Sequence, residues 1–248
     1  NISTNINPVE KLPVDKINDG LPELVEKLSS DNWIEAAEAI MTTDTIPKAT
    51  SRIISLGEST ISLTGIVKGS GMIRPNMATM LAFIATDANV SKDMLDKTLL
   101  HAVNKSFNRI TVDGDTSTND ACVLIATCKA GNKCIDSHNS KEYKVLENTL
   151  VDIFCELSQA IIRDGEGATK FLTIRVTGGK KKTECIDVAY RIAESPLVKT
   201  AFTASDANWG RILSAIGNSG INDLDINNID VFLDNVCIVE NGQRASSY

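Results

Sequence analysis

This 248-residue chain lacks what would commit it to a membrane or to nucleic acid. No apolar run approaches the roughly 18–20 residues of a membrane helix, and the opening NISTNINPVEKL has no basic and apolar segments in signal-peptide order. Positive charge is in short supply: 25 Lys and Arg stand against 32 Asp and Glu, a formal net charge of −7, so no basic field is available to neutralise phosphates. These shortages predict a soluble protein with small charged metabolites as partners, no nucleic acid and no membrane.

Metal and redox motifs are missing too. The cysteines (Cys122, Cys128, Cys134, Cys155, Cys185 and Cys237) form no CxxC pair, and His101 and His138 lie far from any metal-ligand spacing. Reduced thiols and no metal site are expected. RDGEGATK (163–170) matches neither a Walker loop nor a dinucleotide fingerprint, and it precedes a strand-like run where a helix should follow, so phosphate binding is excluded. DGDTSTND (113–120) begins like a calcium loop, with Asp113, Asp115, Ser117 and Asn119 at alternate positions. Its sixth position is Thr118 where glycine is needed and its twelfth is Leu124 where glutamate is needed, so a hydrogen-bonded turn is the better reading.

What the chain does contain is a core-forming sequence, 42% hydrophobic, long enough for one large domain or two small ones. After Gly20, Leu24, Val25 and Leu28 predict a short helix, and Asp31 is placed to cap a second through Trp33, Ala36, Ala37 and Ile40. RIISL (52–56) and TISLTGIV (60–67) read as a hairpin around Gly57-Glu58-Ser59. Ser91 or Asp93 opens an amphipathic helix carrying Met94, Leu95, Thr98, Leu99, Ala102 and Val103. ACVLIATC (121–128) predicts a strand covered on both faces, Val145 to Ile161 a long helix, and FLTIRV (171–176) a further strand. Helices follow over Thr183–Ala193 and Asn208–Ile216, then a hairpin around Asp234-Asn235. A second turn at Asn241-Gly242 is expected to lack its return strand. Interleaved helices and strands joined by short turns predict a layered α/β or α+β sandwich. The polar stretch GGKKKTE (178–184) suggests a boundary, with 1–179 as a catalytic core and 180–248 as the start of a second, smaller lobe truncated at its C-terminus.

The most informative stretch is Lys68 to Ala88, KGSGMIRPNMATMLAFIATDA, a loop broken by Gly69, Gly71 and Pro75 that runs into an apolar strand beginning at Thr79. A threonine hydroxyl is a weak nucleophile without a base. Cutting the Ala78–Thr79 peptide would supply one on the same residue, because a free α-amine has a pKa of about 7.7–8.0. The plainer alternative is a tight connection followed by an ordinary strand residue. Other segments carry the same ambiguity. MTTDTIPK (41–48) offers Thr42, Thr43 and Thr45 around Asp44 as ligands or as a helix-terminal turn, Lys68 is a carboxylate clamp or a solvated loop lysine, and Glu166 is an ammonium partner or part of a solvated turn.

MTTDTIPK, KGSGMIRPNMATMLAFIATDA, DGDTSTND, RDGEGATK and SPLVKTAFTASDANWGRIL (195–213), in this order, resemble the ornithine acetyltransferase family, the glutamate N-acetyltransferases of arginine biosynthesis. The resemblance covers nearly the whole chain. It implies an N-terminal-nucleophile-like fold, self-cleavage between Ala78 and Thr79, and Thr79 as the nucleophile that carries acetyl from N-acetylornithine to glutamate. Thr42 falls on the family's substrate-binding threonine, with its neighbour Thr43 as the alternative, and Lys68, Thr79 and Glu166 fall on substrate contacts. The family's oxyanion Thr-Gly pair corresponds to Thr4 and Asn5, where asparagine replaces glycine. The resemblance further implies no cofactor, acetyl-CoA as an optional co-substrate for amino-acid N-acetylation, and a heterotetramer with two copies of each cleaved piece. It places the protein in the cytoplasm, or in the mitochondrial matrix of a eukaryote, and makes this chain a central fragment whose C-terminal substrate contacts lie elsewhere. The rival readings are a self-cleaving amidase or aminopeptidase, in which water resolves the acyl-threonine, and a noncatalytic binding homologue that is never cut.

Overall fold

The hairpin read at Gly57-Glu58 is the start of the main sheet. In a computed structural model, which describes residues 13–74, 80–116, 120–246 and 248, β1 (Lys48–Leu56) and β2 (Ser59–Lys68) pair antiparallel from Leu56 opposite Ser59 to Lys48 opposite Val67. Gly57 takes the tight turn at φ +63°, in the left-handed region that suits glycine. β3 (Leu81–Thr86) runs antiparallel to β2, and β4 (Ala121–Ala126) runs parallel to β3, giving the order β1-β2-β3-β4. The predicted strand start at Thr79 lies outside the described residues. The parallel pair needs a crossover, which α3 (Lys92–Lys105) supplies, opened by Ser91, whose hydroxyl accepts the Met94 amide at 3.4 Å.

The first core lies between this sheet and the helices packed on one face. Alternation on β2 turns Ile61, Leu63 and Val67 inward, and on β3 Ala82, Ile84 and Thr86, so one side of each strand is buried. Against them lies α4 (Lys141–Arg163), capped by Ser140 accepting the Tyr143 amide at 3.1 Å, with Leu146, Leu150, Ile153, Phe154, Leu157 and Ile161 buried along its inner stripe. Gly65 lets this helix approach, since a Cβ there would stand 2.9 Å from Leu157 Cδ1 and 3.1 Å from Ile84 Cγ1. A second cluster gathers Val188, Ile192, Val198, Ile212, Ile216, Ile238 and Val239 from α5 (Lys182–Glu194), α6 (Pro196–Thr203), α7 (Trp209–Gly217) and a small sheet of β5 (Val231–Leu233), β6 (Val236–Glu240) and β7 (Gln243–Arg244).

Several expectations are corrected. The first helix, α1 (Val14–Glu26), starts ahead of Gly20, runs through Pro22 and buries none of its residues. Asp31 does not cap α2 (Trp33–Ala39): Asn32 holds that position, while Asp31 accepts from the Ser30 hydroxyl within its own turn. β4 is not covered on both faces. It is an edge strand, with Val123 38% and Ile125 49% exposed, because no further strand or helix covers its outer side among the described residues. FLTIRV forms no strand. Ile174 and Val176 pack on the second cluster while Phe171 lies beneath the Arg163 guanidinium at 4.3 Å, and among the described residues no neighbour supplies a ladder. Asn241-Gly242 does have a return strand, the short β7, paired to β6 from Glu240 opposite Gln243.

Phe154 is fully buried with its ring centroid 5.4 Å from that of Phe107, so Phe154→Ala removes packing at the centre of the first core. Urea denaturation should show a loss of about 3–5 kcal/mol.

Candidate active site

Strand register fixes which residues meet. Lys48 opens β1 opposite Val67, Lys68 closes β2 opposite Leu81, and Leu81 stands beside Ala121. One end of the sheet therefore collects the start of β1, the end of β2 and the starts of β3 and β4, with Met80 and Asp120 immediately ahead of the last two strands.

At this end a buried ion cluster ties three distant segments together. Lys48 Nζ lies 2.6 Å from Asp44 Oδ1 and 2.5 Å from Asp164 Oδ2, with the three side chains 1%, 0% and 4% exposed. Both oxygens of each carboxylate have a donor. Asp44 accepts the amides of Gly69 at 2.7 Å and Thr42 at 3.2 Å, and Asp164 accepts the Thr45 amide at 3.0 Å and the Thr45 hydroxyl. Burial is the largest influence on both carboxyls and opposes their charge. The Lys48 ammonium and these hydrogen bonds together outweigh it and hold both groups below the ordinary 3.8. The Ser70 hydroxyl donates to the Asp164 carbonyl at 2.8 Å and the Glu166 amide donates to the Ser70 carbonyl at 3.0 Å, so the loop after α4 is stitched to the loop after β2.

On this frame the structure gathers the described members of the predicted site. Lys68 is buried, and its Nζ lies 3.4 Å from Thr42 Oγ1. Among the described residues it forms no ion pair. Thr42 and Glu166 line one open cleft with Thr43, Gly69, Ser70, Gly71, Met72, Asp113 and Asp115, so both threonines of the Thr42/Thr43 alternative face it. Gly71 lies against the end of the exposed Glu166 side chain, where a Cβ would sit 2.7 Å from Glu166 Oε1. Thr4, Asn5, Ala78 and Thr79 lie outside the described residues.

The hydrogen-bonded turn expected at 113–120 supplies carboxylates that brace the neighbouring loop. Asp113 accepts the amides of Met72 at 2.6 Å, Ile73 at 3.1 Å and Asp115 at 3.0 Å, while Asp120 Oδ1 accepts the Met80 amide at 2.5 Å. Burial, the largest influence on Asp120, raises its pKa above 3.8 against the opposing effects of that amide and the Lys68 charge. Met72 holds φ at +54°, a left-handed conformation unfavourable for a side chain with a Cβ. The acidic run 113–120 was visible as a turn; that its carboxylates face the Lys68–Met80 loop required the fold. Burial also pushes the Cys122 thiol up to about 12, so it is no candidate nucleophile.

The ArgJ family profile matches residues 5–248. The chain belongs to the ArgJ family. Proteins called "Arginine biosynthesis bifunctional protein ArgJ" are similar to it: that of Psychrobacter arcticus is 57% identical over 240 residues and that of Pseudomonas fluorescens 55% over 239, each match covering 96% of this chain. The chain spans 59% of the length of these two relatives. Among solved structures, the ArgJ protein of Bacillus halodurans superposes with a TM-score of 0.61 at 39% identity, over 64% of this chain and 74% of that one. The mixed α/β fold is of the ArgJ type.

Lys48→Met leaves two buried carboxylates facing each other and should lower the unfolding free energy at neutral pH by about 3–5 kcal/mol. The pH dependence should also change sign. In the wild type both carboxyls are depressed in the folded state, so their contribution is complete above pH 3.8 and is lost as pH falls through the folded values. Without Lys48 their folded pKa values rise, and moderate acid should stabilise the variant relative to neutral pH. Urea denaturation across that range reads both effects.

Proposed function

We propose that this chain forms part of a glutamate N-acetyltransferase that moves acetyl from N-acetylornithine to glutamate through an acetyl-Thr79 intermediate. The observation that carries the reading is Lys68: a buried ammonium with a threonine hydroxyl as its neighbour and no ion pair among the described residues. A buried cation is costly unless an anion joins it, and a substrate carboxylate is a suitable one. Thr42, the neighbour of Lys68, lines a cleft with Glu166, whose carboxylate suits an amino-acid ammonium.

In this reading the Ala78–Thr79 peptide is cut and the freed Thr79 amine becomes the base. Thr79 Oγ attacks the acetyl carbonyl of N-acetylornithine as the amine takes its proton. The tetrahedral intermediate collapses, the proton passes to the departing nitrogen, and ornithine leaves behind an acetyl-threonine ester. The neutral amine of glutamate then attacks the ester, Thr79 Oγ regains a proton, and N-acetylglutamate departs. Thr4 and Asn5 are the proposed oxyanion donors, where preorganised hydrogen bonds contribute most to such transfers. Lys68, Thr42 and Glu166 hold the charged groups common to both substrates. No cofactor is required, and acetyl-CoA serves as an alternative donor. The active assembly is proposed to pair two copies of each cleaved piece in the cytoplasm. No helix among the described residues is long and apolar enough to cross a membrane.

Intact-mass measurement on the full-length protein should give two pieces divided at Ala78/Thr79, and acetyl from N-acetylornithine should appear on glutamate with ping-pong kinetics. Thr79→Ala should abolish cleavage and transfer, Thr79→Ser should retain part of each, and Lys68→Ala should chiefly raise KM. Hydrolysis without transfer to glutamate would instead make the protein an amidase.

A further inference from the structure

Residues 112–113 and 120–121 are tied to the two flanks of the proposed cleavage point. Downstream, Asp120 Oδ1 accepts the Met80 amide at 2.5 Å and the Ala121 amide donates to the Met80 carbonyl at 3.0 Å, so both backbone polar groups of the buried Met80 are fixed from one place. The Met80 N–H belongs to the planar peptide joining it to Thr79, so this bond restrains the unit next to the proposed nucleophile. Upstream, Asp113 accepts from Met72 and Ile73, and the Val112 amide donates to the Ile73 carbonyl at 2.7 Å. Those contacts hold Met72 in its left-handed conformation, which persists only where surrounding structure over-determines it.

Neither carboxylate forms an ion pair among the described residues. Asp120 is half-buried beside the apolar ends of β3 and β4, an unfavourable place for a charge. Its hydrogen bond is to a backbone amide next in sequence to the proposed reaction centre. We infer that Asp120 is a positioning residue for the reaction at Thr79, fixing the backbone at Met80 while Asp113 braces the opposite flank. The inference rests on the reading of Thr79 given above. It is geometric: what matters is an acceptor oxygen at this position and this reach, and the charge is secondary.

Asp120→Asn keeps an acceptor oxygen at the same reach, Asp120→Glu keeps the charge but displaces the carboxylate by one methylene, and Asp120→Ala removes the acceptor. Each is made in the full-length protein and followed by intact mass from first purification, with kcat, KM and the thermal midpoint measured on the same samples. Cleavage and kcat should fall less than about threefold in Asp120→Asn and about tenfold to a hundredfold in Asp120→Ala, as for a buried donor left unsatisfied. Asp120→Glu should lose about tenfold through misplacement, with KM within about twofold of wild type throughout. If Asp120→Ala fails to fold, the order of Asp120→Asn above Asp120→Glu still decides the matter. The inference is overturned if Asp120→Glu outperforms Asp120→Asn, if Asp120→Ala cleaves and turns over at the wild-type rate, or if rates merely track the folded fraction. An uncleaved wild-type chain would overturn the Thr79 reading along with it; a cleaved wild type with a competent Asp120→Ala overturns this inference alone.

Discussion

Lys48 lies buried between Asp44 and Asp164, and the cluster carries one more negative than positive charge. Such an arrangement is tolerable inside a protein only when the carboxylate oxygens are well supplied with donors, and here amides of Thr42, Gly69 and Thr45 and the Thr45 hydroxyl join Lys48 in supplying them. Each of those donors belongs to a segment that also carries a cleft residue. The energetic need to satisfy the buried carboxylates therefore dictates where the 42–48, 68–71 and 164–166 segments sit. Thr42, Lys68 and Glu166 take their positions from it.

The sheet extends the same logic. Antiparallel pairing of β1, β2 and β3 with a parallel β4 brings the close of β2 and the openings of the other strands to one end. Peptide groups there have run out of ladder partners and must find others. Asp113 and Asp120 serve that need for Met72, Ile73 and Met80. Lys68, a second cation at this end beside Lys48, forms no ion pair among the described residues and lies against Thr42 of the cleft, a position suited to receiving an anionic group.

Sequence periodicity conveyed the parts of the fold whose signal is local. The inner stripe of α4, the Ser91 cap of α3 and the hairpin at Gly57-Glu58 follow from residue spacing and turn chemistry, and they stand in the structure as read. Failures arose where a residue pattern does not reveal its neighbours. ACVLIATC is as apolar as a doubly covered strand yet lies at an edge, and FLTIRV has strand composition but, among the described residues, no partner to complete a ladder. The two-residue return strand after Asn241-Gly242 is too short to show any alternation.

Residue types and their order along the chain determined which groups are available: hydroxyls at 42–45, a lysine at 68, a Gly-flanked glutamate at 166, and the Ala78–Thr79 peptide ahead of an apolar strand. They also determined the family, because those blocks recur in a fixed order. Only the tertiary structure decided that Thr42 and Lys68 touch, that Gly71 lies against Glu166, and that acidic residues 113 and 120 point their carboxylates at the loop between β2 and β3. The physical reason is separation along the chain. Contacts between residues tens to more than a hundred positions apart depend on strand register and on the burial of charge, and neither leaves a local mark in the sequence.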